Sequence, residues 1–463
     1  MQRREFLGAM GPAMGAMGKA MAMGAAALPA VGAEGSRPNI LVLMPDQWRG
    51  QDLGSMGNEQ VRTPVLDRLA REGTQFTNAV ANCPVCTPAR ACLLTGRYPH
   101  QVKMAVNDVP LAVGEVTIAE LLQRAGYFTG FIGKWHLHGG LREPGFVPPG
   151  DWRQGFDFWA ANICNHNYLK TWYFRDDSKP IPIPGYEVFT WTDLAIEFLG
   201  KAKEKQQPFY LNVWYGPPHD PYIVPKGYEG MYDPAKIKLR PNWKDGAKRG
   251  GQAKDIAGYY SAITCLDDEI GRLLGKLESM GLSDNTVVYF MSDHGDMLGS
   301  QQTFLKRKPW EESAVVPSIF RLPGKIKAGR RSDALLSHID VVPTLLGLCG
   351  VKQLPTMPGT DLSGYLTGTS DKAPDEAHMM IYTATEMDEH GPWRGIRGKK
   401  WKYARHEEKP WVLYDLEKDP FELKNLAEDR GHKALMAEMD GKIAAHMGAM
   451  DDDWVQRFDR PFR

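Results

Sequence analysis

The chain reads as an α/β protein: a mixed, mostly parallel sheet flanked by helices, with a smaller C-terminal α+β subdomain. Two patterns predict this. Four apolar runs, at 40–44, 127–132, 209–214 and 287–291, each stop abruptly in a polar cluster, as buried strands do when they end in loops. Between them lie helically spaced apolar residues with start and stop signals. Alternating strand and helix gives a sheet covered on both faces, with ligands taken beyond the carboxyl ends of the strands. A chain of 463 residues, 43% of them hydrophobic, is long enough for a large core and for about two or three domains.

The N-terminus carries Arg3-Arg4 before Phe6-Leu7, then a Met, Ala and Gly stretch, then the small residues Val31-Gly32-Ala33. This predicts a cleaved twin-arginine signal over residues 1–33, a folded passenger for the twin-arginine translocase, and a bacterial periplasmic or secreted location. Lys19 and many glycines interrupt the apolar stretch, so no stable membrane anchor is expected. Cleavage removes Arg3, Arg4, Lys19 and Glu5, leaving 53 basic residues against 55 acidic from the 56 of each in the whole chain. Nucleic-acid binding needs a cationic surplus that is not there. Thirteen Trp and seventeen Tyr suit stacking on sugar or aromatic rings.

The first apolar run ends in Pro45-Asp46-Gln47. Thr63 then reads as a cap, Pro64 as a helix start, Val65, Leu66 and Leu69 as one face, and Gly73 as a stop. In residues 86–97, Pro88 suits a first helical turn, Thr87 a cap and Gly96 a stop, which places Cys86 at a helix N-terminus. Unpaired N–H groups there favour an anion, and Arg90 adds a forked donor one turn in. The later runs end in Gly133-Lys134-Trp135-His136, in Gly216-Pro217-Pro218-His219, and in Ser292-Asp293-His294-Gly295-Asp296. A long helix carries Tyr260, Ile263, Ile270, Leu274 and Leu277. All four polar clusters are expected to face one crevice.

Past Leu366 the composition becomes linker-like, and short strands follow near 379–383, 395–398 and 401–404, with a helix near 431–447. This predicts a catalytic domain over 34–370 and a C-terminal subdomain over 371–463. Trp393, Arg394 and the loop 386–390 are candidates to close over the crevice, although surface packing accounts for each of them more simply. Cys83 and Cys86 also spell a C-x-x-C redox pair, and six cysteines in an exported chain permit disulfides. Neither reading uses Arg90 or the Leu94-Thr95-Gly96-Arg97 ending. Cys83, Cys92, Cys164, Cys265 and Cys349 read as packing residues.

Residues 86–97, Cys-Thr-Pro-Ala-Arg-Ala-Cys-Leu-Leu-Thr-Gly-Arg, resemble the signature of the type I sulfatases, in the alkaline phosphatase-like superfamily. The resemblance implies that Cys86 is oxidised to formylglycine by a maturase, and that the hydrated aldehyde attacks a sulfate ester. Asp46-Gln47 and Asp293-His294 match the family's paired metal ligands, usually Asp-Asp and Asp-Asn, with Gln47 and His294 as departures. Asp46, Gln47, Asp293 and the modified residue 86 suit calcium, while the imidazole of His294 leaves room for magnesium or manganese. Lys134 and His136 match the Gly-Lys-Trp-His box, and His219 matches a third-loop histidine. Lys306, with Lys308 as the competing choice, matches a second sulfate-binding lysine. The implied roles are sulfate clamps for Lys134, Lys306 and Arg90, leaving-group acid for His219 or Lys306, and base for His136. A serine at 86 lacks the second hydroxyl that expels sulfate. Asn107 and His100 are weaker candidates for the pocket wall. The implied substrate is a sulfate ester, plausibly of a carbohydrate. The related alternatives are a phosphonate or phosphodiester substrate, and a non-catalytic protein that binds sulfated glycans.

Overall fold

The computed structural model describes residues 37–140, 145–244, 252–383 and 390–454. The expected signal segment and residues 386–389 of the candidate lid loop lie outside the described residues. No described helix is long and apolar enough to cross a membrane.

In chain order, β1 (Asn39–Asp46) leads through α1 (Pro64–Glu72) to β2 (Thr74–Val80), and α2 (Cys86–Thr95) follows. Next come α3 (Ile118–Arg124), β3 (Phe128–Lys134) and β4 (Phe158–Asn162). A small hairpin, β5 (Thr171–Tyr173) with β6 (Ile181–Ile183), precedes α4 (Glu187–Lys205) and β7 (Phe209–Pro218). The chain continues through α5 (Ala253–Ser279), β8 (Thr286–Met291), the single turn α6 (Glu311–Ala314), β9 (Ser318–Arg321), β10 (Arg330–Ser337), α7 (His338–Leu348) and α8 (Ser363–Thr367). A second sheet, β11 (Glu376–Ile381), β12 (Trp393–Gly398), β13 (Trp401–Arg405) and β14 (Pro410–Asp415), precedes α9 (Lys433–Ala449).

The large sheet has eight strands in the order β10-β2-β9-β8-β1-β7-β3-β4, and the second sheet has four in sequence order. In the large sheet β9 runs antiparallel to both its neighbours, and every other pairing is parallel. Every residue of β1 is buried, as a central strand covered on both faces demands. Its alternation divides the core: Ile40, Val42 and Met44 join α2, α3 and α7 on one face, while Leu41 and Leu43 join α1, α4 and α5 on the other. The second sheet is antiparallel throughout and packs α9 through Ile396, Tyr403, Leu413, Met436, Met439 and Ile443.

Two capping expectations are corrected. The Thr87 hydroxyl donates to the His136 carbonyl at 3.0 Å, while the Thr87 backbone N–H donates to Asn107 Oδ1 at 2.9 Å. Asn107 thus satisfies an orphan donor of the first turn of α2 from a distant loop. Likewise Thr63 makes no cap bond, and Asp267 accepts the N–H groups of Val65 and Leu66, both at 2.9 Å. Gly96 does end α2, with φ +64° and its N–H on the Cys92 carbonyl.

Three surface candidates turn out to be packing residues. His100 Nε2 lies 2.8 Å from the Met450 carbonyl, and the His100 ring stacks on Tyr382. Trp393 is fully buried and donates from Nε1 to the Arg307 carbonyl at 3.0 Å. Arg394 closes a fork on Asp452, with contacts of 2.6 and 2.7 Å. All six cysteines are buried, and none forms a disulfide.

Candidate active site

The parallel strands deliver their carboxyl ends to one edge of the sheet, which is why residues far apart in sequence meet there. β1 supplies Asp46 and Gln47, β8 leads to Asp293 and His294, β3 ends at Lys134, β7 leads to His219, and α2 starts at Cys86. Gly133 is required by this convergence: at φ +104°, a Cβ there would lie 2.0 Å from the Trp214 carbonyl oxygen of β7.

Asp46, Cys86, Asp293 and His294 are all buried, and their ligand atoms lie within 4.8 Å of one another. Cys86 Sγ is 3.2 Å from His294 Nε2 and 3.9 Å from Asp46 Oδ1. Two carboxylates, an imidazole and the side chain of residue 86 in so small a space form a donor set that fits a divalent cation. Arg90, fully buried behind them, donates from one terminal nitrogen to Asp46 Oδ2 at 2.8 Å and to Asp293 Oδ2 at 2.9 Å. Its other terminal nitrogen donates to the Lys134 carbonyl at 2.8 Å, and its plane lies over the Trp214 ring. The fork expected to hold an anion therefore holds the two carboxylates instead.

Lys134 Nζ donates to Asp46 Oδ2 at 2.6 Å. Burial and the adjoining residue 86 push the Asp46 carboxyl up, but Lys134, His219 and Arg90 outweigh them and hold it well below the usual carboxylate range. Burial pulls Lys134 down, and Asp46 more than compensates, keeping it charged. Burial likewise raises the Cys86 thiol, but Lys306, Lys134 and His294 bring it far below an ordinary thiol. Position 86 therefore sits in a field that favours negative charge.

Gln47, at φ +69°, points its amide into a network. Its Oε1 accepts from Lys306 Nζ at 2.6 Å, and its Nε2 donates to Asp296 Oδ2 at 2.7 Å. Lys306 Nζ also lies 2.6 Å from His219 Nε2. The structure thus distinguishes the two lysines: Lys306 reaches the cluster, whereas Lys308 Nζ donates to the Phe304 carbonyl at 3.3 Å. His136 Nε2 is 2.9 Å from Asp108 Oδ1. Its buried Nδ1 has no partner in hydrogen-bond geometry, with the Cys86 and Cys164 sulfurs as neighbours. Burial lowers the His136 imidazole, but Cys164 and Asp108 outweigh it and push it up to about 10.

Several site residues are given no role by the sequence reading. Asp108, Asp220 and Asp296 hold His136, His219 and Gln47 through side-chain oxygens. Cys164, expected to be inert packing, lies against Lys134, His136 and His166. His166 was readable: the apolar β4 ends in Asn162-Ile163-Cys164-Asn165-His166, the same strand-then-polar pattern that marked the other four loops.

The family model for sulfatases matches residues 38–351. The chain belongs to the sulfatase family. A second model, N-sulphoglucosamine sulphohydrolase, C-terminal, matches residues 299–448. The ulvan-active sulfatase of Formosa agariphila is 37% identical over 430 residues, covering 92% of this chain and 84% of the relative. A Bacteroides fragilis protein assigned as the sulfatase yidJ superposes with a TM-score of 0.83 at 29% identity, covering 92% of this chain and 98% of that one. A protein solved in complex with its substrate D-glucosamine-2-N,6-O-disulfate superposes with a TM-score of 0.81 at 25% identity, covering 91% of this chain and all, 100%, of that one. Membership makes this sulfatase a hydrolase acting on sulfuric esters, on the alkaline phosphatase-like fold.

Proposed function

We propose that this sulfatase hydrolyses a sulfate ester of a carbohydrate, using formylglycine at position 86 and one divalent cation. The single observation that carries the reading is the placement of Cys86. It opens a helix inside a buried cluster of two carboxylates and an imidazole, with Lys134 and Lys306 among its cations. Asp46, Asp293 and His294, with the modified residue 86 and the amide oxygen of Gln47, would hold the cation. Calcium is the ion proposed, with magnesium and manganese as alternatives. When bound, it supplies a fixed positive charge against the ester oxygens.

Oxidised and hydrated, residue 86 carries two hydroxyls: one bonds to sulfur, and the other re-forms the aldehyde as sulfate leaves. The remaining steps fall to side chains. Lys134 and Lys306 clamp the sulfate oxygens and stabilise charge moving toward the ester oxygen. Arg90 acts one layer back, holding Asp46 and Asp293 in place. His219, coupled to Lys306, delivers a proton to the departing alcohol. His136, oriented by Asp108, takes the proton from the second hydroxyl.

The carbohydrate reading draws on the relatives that act on ulvan and on a glucosamine sulfate and on the abundance of Trp and Tyr. Residues 34–370 are assigned the chemistry and 371–463 a supporting subdomain. Export by the twin-arginine translocase after maturation completes the proposal, and N-terminal sequencing of periplasmic material tests it. Mass analysis of the tryptic peptide containing position 86, taken from the source organism, tests the nucleophile: replacement of sulfur by oxygen with loss of two hydrogens supports it. An intact thiol there points to the glycan-binding alternative, and faster turnover of an aryl phosphonate than of an aryl sulfate points to the phosphonate hydrolase.

A further inference from the structure

His219 is held in its own plane at both nitrogens. Nδ1 lies 2.8 Å from the Asp220 carbonyl oxygen and 3.0 Å from Asp220 Oδ1, while Nε2 lies 2.6 Å from Lys306 Nζ. These contacts still allow the ring to rock about the line joining its two nitrogens. Neither nitrogen's hydrogen-bonding direction lies along that line, so rocking swings both out of alignment. On one face the ring of His166 lies against His219, centroid to centroid 4.5 Å, with the planes 15° apart, and opposes that motion.

His166 is itself anchored. Its Nε2 is 3.7 Å from Cys164 Sγ. The neighbouring Asn165 Nδ2 donates to Glu187 Oε2 at 3.2 Å and to the Asn167 carbonyl at 3.0 Å, pinning the loop to α4. Burial keeps the His166 ring neutral against the pull of Cys164, and the charges of His219 and Lys134 act in the same direction.

We infer that His166 is a positioning residue for the proton donor: by covering the face of His219 it fixes the direction in which the Lys306–His219 pair offers a proton to the leaving oxygen. This rests on the leaving-group role proposed for that pair. Its consequence is selective, because a leaving oxygen that departs readily as an anion needs no aimed proton, whereas a basic one does.

The test uses the full-length enzyme and its His166→Ala and His166→Phe variants, with 4-nitrophenyl sulfate and phenyl sulfate as probes. His166→Ala is expected to lower kcat on phenyl sulfate about tenfold more than on 4-nitrophenyl sulfate, a fraction of what losing a proton-transfer group outright costs, with KM little changed. His166→Phe, which keeps a flat ring on the face, is expected to recover most of that difference. Equal losses on both probes, a change confined to KM, or a phenylalanine variant no better than alanine overturns the inference. A crystal structure of His166→Ala provides a readout independent of turnover: His219 should occupy more than one ring orientation, and a single unchanged orientation also overturns it. Lys306→Ala tests the parent reading separately: it should lose far more turnover of phenyl sulfate than of 4-nitrophenyl sulfate, and equal losses would overturn the leaving-group role itself.

Discussion

Lys306 Nζ and His219 Nε2 lie 2.6 Å apart, and neither residue's backbone belongs to a helix. One follows β7 and the other stands on the segment between β8 and α6. The pair is therefore a tertiary construction, and it favours Lys306 over Lys308 for the leaving-group role proposed above. Lys306→Ala is expected to lower kcat by about 10²–10⁴, the range for a lost proton-transfer group. Lys308→Ala, whose ammonium faces a backbone carbonyl, should stay within about threefold, since it touches no reacting atom. Steady-state kinetics on an aryl sulfate check both, and a larger loss for Lys308→Ala reverses the assignment.

The cation proposed among Asp46, Asp293 and His294 would bind the folded chain and not the unfolded one, adding stability by mass action, about 2.7 kcal/mol when free metal exceeds Kd a hundredfold. Dialysis against a chelator should lower Tm and abolish turnover together, and calcium should restore both. Asp293→Asn should show a reduced Tm already and little further response to the chelator. Calorimetry with elemental analysis is the check. A Tm indifferent to chelation, in protein free of bound metal, removes the cation from the proposal.

Asp108 acts through His136. Its Oδ1 faces Nε2, which leaves the buried Nδ1 as the nitrogen proposed to take a proton, once the raised imidazole has given up its own. Asp108→Asn should lower kcat by about 10²-fold, near the lower end of the range for a proton-transfer group. It should also shift the rise of rate with pH toward lower pH, because the carboxylate is one of the groups that raise the imidazole of the proposed base. An unchanged profile would confine Asp108 to a structural role.

The strands were legible because a parallel sheet buried on both faces forces unbroken apolar runs, and the loops after them had to be polar. The order of those strands was not, because nothing in residues 318–321 marks β9 as the one that runs the other way. Arg90 illustrates the same limit at the site. Its spacing from Cys86 placed it correctly one turn into α2, but only the fold shows that the carboxylates of β1 and of the loop after β8 take its fork. Caps supplied from a distance, Asn107 for α2 and Asp267 for α1, escape any reading that looks only at adjacent residues. His166 differs, since its strand-then-polar context was as plain as that of His219.

Glu187 offers a test of folding rather than of chemistry. Its Oε1 accepts from the Gly216 N–H and its Oε2 from Asn165, both at 3.2 Å, so it ties α4 to the turn before His219 and to the loop carrying His166. Burial outweighs these bonds and pushes the carboxyl from 4.5 up to about 7. A raised acid binds its proton more tightly in the folded state, so its contribution is fully present below pH 4.5 and is lost as pH rises to about 7. Over that window the loss amounts to roughly 3 kcal/mol, at about 1.4 kcal/mol for each pH unit crossed. Glu187→Gln has no proton to lose. The wild-type advantage over the variant should therefore shrink by that amount between pH 4.5 and 7, whatever the other groups contribute, because they titrate alike in both proteins. Urea unfolding of the two chains across this range measures the difference, and a gap that stays constant with pH would mean that Glu187 is already ionised in the folded protein.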